Sequence, residues 1–129
     1  MLQPSVPAWF EIPVRDLDRA QRFYEGLLDA KLKREPFQSE DMTVDQAVFP
    51  YRGAPGDTSG ALVRWDGVYT PSDSGPVVYL SVDDLQPLLE RAPALGGAVL
   101  LSPQTLPDIG VFAQIRDSEG NRVGLFSPR

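Results

Sequence analysis

From Ala8 to Val14 apolar and polar positions alternate. Phe10, Ile12 and Val14 fall on one face, and Trp9, Glu11 and Pro13 on the other, the period-two pattern of a half-buried strand. From Leu17 the period changes: Leu17, Ala20, Phe23, Tyr24, Leu27 and Leu28 recur at helical spacing, so one stripe of a helix is buried. Asp16, just ahead, can accept from the free backbone donors of the first turn. The chain then writes the unit a second time. Shifted by 68 positions, Val78, Leu80, Val82, Asp84, Leu85 and Leu95 fall on Phe10, Ile12, Val14, Asp16, Leu17 and Leu27. In this second helix Leu85, Leu88, Leu89, Ala92 and Leu95 form the buried stripe. Pro87 is tolerated in its first turn, Pro93 should distort its last, and Gly96–Gly97 stops it.

The remaining segments read as strands. In the first half they are Ala30 to Phe37, Met42 to Pro50 and Gly60 to Trp65; in the second, Ala98 to Leu101, Val111 to Arg116 and Arg122 to Ser127. DSEGN, Asp117 to Asn121, reads as a tight hairpin turn. Each half is thus strand, helix, three strands. The expected fold class is α+β: two tandem βαβββ modules whose sheets curve into one mostly antiparallel trough, with the helices outside. The whole chain, 1–129, is expected to form one domain, with module one at about 8–66, a linker at about 67–76 and module two at about 77–127.

Composition narrows the chemistry. A net charge of −6 argues against a nucleic-acid partner, which needs a basic surface. The longest apolar runs fall far short of a membrane span, and the opening MLQPSVPAWF has no basic region followed by an apolar one, so a cytoplasmic protein is expected. The chain has no cysteine and no histidine. That removes disulfides, the thiolate nucleophile, the commonest metal ligand and the commonest general base.

Two motifs carry a resemblance. DLDRAQRFY (Asp16 to Tyr24) fits D-x-x-R/K-A-x-x-F-Y, and DSEGNRVGL (Asp117 to Leu125) fits D-x-x-G-N-x-x-G-L. Together with VVYLSVDDLQPLLERAPALGG and SGALVR, in that family's order, they make the chain similar to the vicinal oxygen chelate superfamily of glyoxalases, bleomycin-resistance proteins and extradiol dioxygenases. The resemblance implies the glyoxalase/bleomycin-resistance fold and a homodimer; the strand edges and apolar rim that two small sheets leave bare point the same way, with Leu2 to Pro7, Phe37, Tyr51 and Tyr69 as interface material. Relatives with metal chemistry hold a divalent ion with four inward-facing ligands. Carried over by motif, these positions are Trp9, Val77, Gly124 and either Ala61 or Val63, none of which can ligate. No metal and no other cofactor are therefore expected.

What remains to act is a trough with aromatic walls. Alternation places Trp9 and Glu11 inward on the first strand, Val63 and Trp65 inward on the fourth, and Phe112 and Gln114 inward on the late strand. The repeat places Val77 and Tyr79 opposite Trp9 and Glu11. Gln46 joins them in one of two parities open to its strand. Glu11, flanked by Trp9 and Pro13, is the candidate general base, with a pKa raised by partial desolvation. The expectation is a small-molecule binder that holds a partly apolar or aromatic molecule without a metal. The alternatives are a lyase or isomerase of the glyoxalase type using Glu11, and a protein-interaction module with a vestigial trough.

Overall fold

The structure is a computed structural model that describes residues 2, 6–54 and 57–128. Asp16, extended and accepting from Arg19 N at 3.0 Å, turns strand β1 (Phe10–Pro13) into helix α1 (Leu17–Leu28). The helix ends at Asp29, which adopts the left-handed conformation an aspartate tolerates (φ 51°) and returns its N–H to Glu25. Strands β2 (Lys33–Arg34), β3 (Phe37–Gln38), β4 (Thr43–Val48) and β5 (Gly60–Arg64) complete the first half. The second half runs β6 (Val78–Ser81), α2 (Leu85–Arg91), a 3-10 turn at Pro93–Leu95, β7 (Ala98–Leu106), β8 (Gly110–Arg116) and β9 (Arg122–Pro128). Among the described residues no helix is long and apolar enough to cross a membrane.

The two halves share one topology. Sheet one has the order β1-β5-β4-β2, with β3 also on β4; sheet two has the order β6-β9-β8-β7. In each, the first strand pairs in parallel with the last, β1 with β5 and β6 with β9, and every other pair is antiparallel. The family of α+β folds read from the sequence is therefore present, helices and two mixed sheets included.

Three elements depart from the expected boundaries. Ala30 to Phe37 is not one strand but two of two residues, because Pro36 has no N–H to continue the ladder with β4. The second helix stops at Arg91, where Pro93 forces a tighter turn closed by Gly96 at φ 103°. Strand β7 runs on to Leu106, absorbing Pro103 where its pairing with β8 slips register.

One apolar cluster joins the halves. Ile12, Val14, Phe23, Tyr24 and Leu27 from the first half pack with Leu80, Leu85, Leu88, Ala113, Ile115 and Leu125 from the second. At roughly 1.5–3 kcal/mol for each fully buried large side chain, this layer is the main source of stability. The DSEGN turn locks it. Buried Asp117 accepts from Tyr24 Oη at 2.6 Å and from Asn121 Nδ2, and also closes its own turn through the N–H groups of Glu119 and Asn121. Asn121 Nδ2 also donates to Pro13 O at 2.8 Å. Glu119 accepts from the backbone of Arg15 and Asp16 and from the Arg19 guanidinium at 2.7 Å. The turn between β8 and β9 thus caps the start of α1, 100 residues away in sequence.

Candidate ligand site

Register decides which side chains leave the core. Glu11 lies beside Ala61, Pro13 beside Val63, and Gln46 opposite Val63, so these five share the face of sheet one turned away from α1. Gln46 thereby takes the inward parity. On sheet two, Tyr79 lies beside Gly124, Gln114 opposite Gly124, and Phe112 opposite Phe126. Their neighbours Leu80, Ala113 and Leu125 face the core.

The two bare faces are not alike. That of sheet one is filled: Val44, Val48, Ala61 and Val63 form a second buried cluster, and Trp65 and Tyr69 fold back over it, their rings 5.3 Å apart. Val63, 1% exposed, lies beneath them. Tyr69 is therefore half-buried over this face, not displayed outward as interface material, because its hydroxyl donates to Glu11. That bond, and some burial, push the Tyr69 phenol above its usual value of 10. Glu11 itself is exposed, so the desolvation expected of it is absent. Trp9 turns its ring edge to Tyr51 at 6.0 Å, both exposed, and Phe37 is exposed as well.

The face of sheet two is open. Tyr79, 44% exposed, packs against Gly124, where a Cβ would stand only 2.2 Å from its ring, and Phe112 meets it edge-on at 6.1 Å. Gln114 Nε2 donates to Tyr79 Oη at 2.7 Å, Arg122 Nη1 donates to Gln114 Oε1 at 2.9 Å, and Arg122 Nε donates to Asp73 O at 3.0 Å. Glu11 and Arg122 border a cavity of about 270 Å³ at the joint between the halves, together with Pro13, Thr70, Ser72 and Asn121. A larger cleft, about 1080 Å³, follows the free edge of β6 from Val77 and Tyr79 towards Leu28 and Arg91. The sequence-predicted residues therefore divide. Tyr79, Phe112 and Gln114 stand together on the open face, Val77 borders the cleft, and Glu11 sits at the joint. Gln46, Val63 and Trp65 belong to the filled side, and Trp9 is exposed against Tyr51.

Arg122 and Tyr69 are the participants that sequence reasoning missed. Alternation from Gly124 places Arg122 on the same face, so its signal was present. Tyr69 lies in a Pro-, Ser- and Asp-rich loop without periodicity and had none.

Comparison with known proteins decides the family. A model of the Glyoxalase/Bleomycin resistance protein/Dioxygenase superfamily matches residues 7–125. The chain belongs to this superfamily. No curated protein matches it. A glyoxylase/bleomycin resistance protein/dioxygenase domain from Frankia sp. EAN1pec is 26% identical over 95% of this chain and 97% of its own, with a TM-score of 0.65. TnmS3, an antibiotic binding protein from Streptomyces sp. CB03234, is 30% identical over 94% and 93%, with a TM-score of 0.65. Glyoxalase I from Zea mays is 25% identical over 93% of this chain but only 45% of its own, with a TM-score of 0.66.

The superfamily's metal chemistry finds no fit in this member. Trp9, Val77, Gly124 and Ala61 or Val63 offer no donor atom on a side chain, and the room at Gly124 is taken by the Tyr79 ring. Among the described residues no three Asp or Glu side chains converge elsewhere.

Proposed function

We propose that this superfamily member is a metal-independent binding protein of the bleomycin-resistance type. It takes a small, planar, partly apolar molecule on the open face of sheet two. The observation that carries this is the Tyr79–Phe112 pair, an aromatic surface held in place by Gly124 and exposed beside a polar row, while the matching face of sheet one is closed by its own side chains. The likeness to an antibiotic binding protein agrees with it. A lyase or isomerase reading would rest on Glu11. It is the weaker one, because that carboxylate is exposed and already engaged by Tyr69, and among the described residues no three Asp or Glu side chains are grouped to hold a metal ion as the Lewis acid an enolate needs.

The same reading takes residues 1–129 as one domain, cytoplasmic and homodimeric. Support for the dimer is strand β7, a nine-residue sheet edge with no charged residue and with Val99 and Leu106 exposed. Lone domains usually blunt such an edge with charge. The shorter edge of sheet one carries Lys33 and Arg34. Of the interface residues expected from the N-terminus, Gln3 to Ser5 lie outside the described residues.

A thermal-shift screen tests the function. Planar aromatic compounds and antibiotics at a hundredfold excess over a micromolar dissociation constant should add about 2.7 kcal/mol of stability, a clear rise in Tm. A broad panel of such compounds with no stabilisation contradicts the reading.

A further inference from the structure

The polar row on the open face has a direction, and the direction specifies the ligand. Arginine can only donate hydrogen bonds. Arg122 Nη1 lies 2.9 Å from the Gln114 side-chain amide, so the amide must turn its oxygen to Arg122 and its nitrogen to Tyr79. The Tyr79 oxygen, 2.7 Å from that nitrogen, is therefore the acceptor in its bond with Gln114. Its own proton points elsewhere, and among the described residues nothing accepts it. Arg122 is fixed in turn by the Asp73 carbonyl, and the Tyr79 ring is pinned on Gly124, so neither end of the row can swing to relieve the other. Bonds that run in one direction along such a row polarise one another and strengthen the terminal donor.

Resting on the binding reading above, we infer that the ligand is a planar molecule carrying an acceptor oxygen at its edge, a carbonyl, carboxylate or phenolate, which takes the Tyr79 O–H bond while its ring packs beside Phe112. A ligand without the acceptor leaves a pre-oriented donor unsatisfied under an aromatic ring. Sites that lose a built hydrogen bond in this way discriminate strongly. Arg122 acts here as a positioning residue: it sets the amide, and the amide sets the phenol.

A matched neutral pair, methyl naphthyl ketone and ethylnaphthalene, isolates the effect, because the two differ in an acceptor oxygen and little in shape. The dissociation constants of both are measured by calorimetry on the full chain and three variants. The wild-type protein should prefer the ketone by about tenfold, the worth of one net hydrogen bond. Tyr79→Phe keeps the ring and should bring the ratio to about one by weakening only the ketone. Arg122→Met frees Gln114 to turn and accept from Tyr79, so the ratio should again collapse although no group touching the ketone has changed. Arg122→Lys keeps a donor at that place and should retain the preference. If both compounds bind the wild type equally, the acceptor inference falls and the binding reading stands. If Arg122→Met keeps the tenfold ratio, the directional row is wrong. If neither compound binds, the binding reading falls and the inference with it.

Discussion

Glu119→Gln removes the charge that ties the second half to α1 and leaves the shape almost unchanged. The carboxylate is wholly buried and accepts five bonds: the N–H groups of Arg15 and Asp16 at 2.9 and 3.0 Å, Arg19 Nε and Nη2 at 2.7 and 2.9 Å, and the Ser118 hydroxyl at 3.1 Å. Burial by itself would raise its pKa. Arg19, then the backbone donors of Asp16 and Arg15 and the Ser118 hydroxyl, outweigh it together and hold the group at about 2, against an ordinary 4.5. At about 1.4 kcal/mol for each tenfold in proton affinity, that gap corresponds to about 3 kcal/mol at neutral pH. The Arg19 side chain is 48% exposed, so part of its share is screened, and a loss of about 2 kcal/mol is expected at pH 7. The folded-state pKa lies below the unfolded one. The contribution is therefore fully present above about 4.5 and disappears as pH falls towards 2. Urea melts of both proteins between neutral and acid pH should show Glu119→Gln less stable by about 2 kcal/mol at neutrality, the difference closing steadily below about pH 4.5. A loss under about 0.5 kcal/mol, or a difference that stays constant down to the acid end, would refute the reasoning.

Gly124→Ala should leave the fold in place but lift the Tyr79 ring off the strand, because the new Cβ occupies the ring's position; overpacking of this kind costs about 1–3 kcal/mol. Ligand affinity should fall with it, and a variant that binds as tightly as wild type contradicts the role given to the Gly124–Tyr79 contact. Glu11→Gln should return the Tyr69 phenol towards 10, because it loses the hydrogen bond to a carboxylate that chiefly holds it up, and with it the charge that opposes ionisation. In ultraviolet titration one of the 4 tyrosines should then ionise earlier than in wild type, while buried Tyr24, pushed well above 10 by burial and by Asp117, still ionises last.

Much of this architecture was legible in the sequence because local pattern and tertiary partner agree there. The repeat, the Asp16 cap, the stripe from Leu17 to Leu27 and the alternation of β5, β8 and β9 are all found where periodicity puts them. DSEGN was legible as a turn, but its larger role as a lock was not: that depends on Tyr24 and Arg19 arriving from the other half. Segments whose form depends on a neighbour were misjudged. Ser102 to Leu106 is a strand because β8 pairs with it, despite Pro103. Strand register puts Glu11, Val63, Tyr79 and Gln114 on the faces turned away from the core, as alternation does, yet alternation could not show that Trp65 and Tyr69 fold back to fill one of them.

Two-dimensional NMR of the isotope-labelled chain, titrated with methyl naphthyl ketone, tests the central claim most directly, since it reports where a planar molecule sits. Resonances of Tyr79, Phe112, Gln114, Arg122 and Gly124 should move together and saturate at one dissociation constant, with Val44, Val48 and Ala61 beneath Trp65 and Tyr69 unmoved. Shifts confined to Leu28, Leu88 and Arg91 in the cleft beside β6, or to the Trp65–Tyr69 side, would contradict the open face of sheet two as the binding surface.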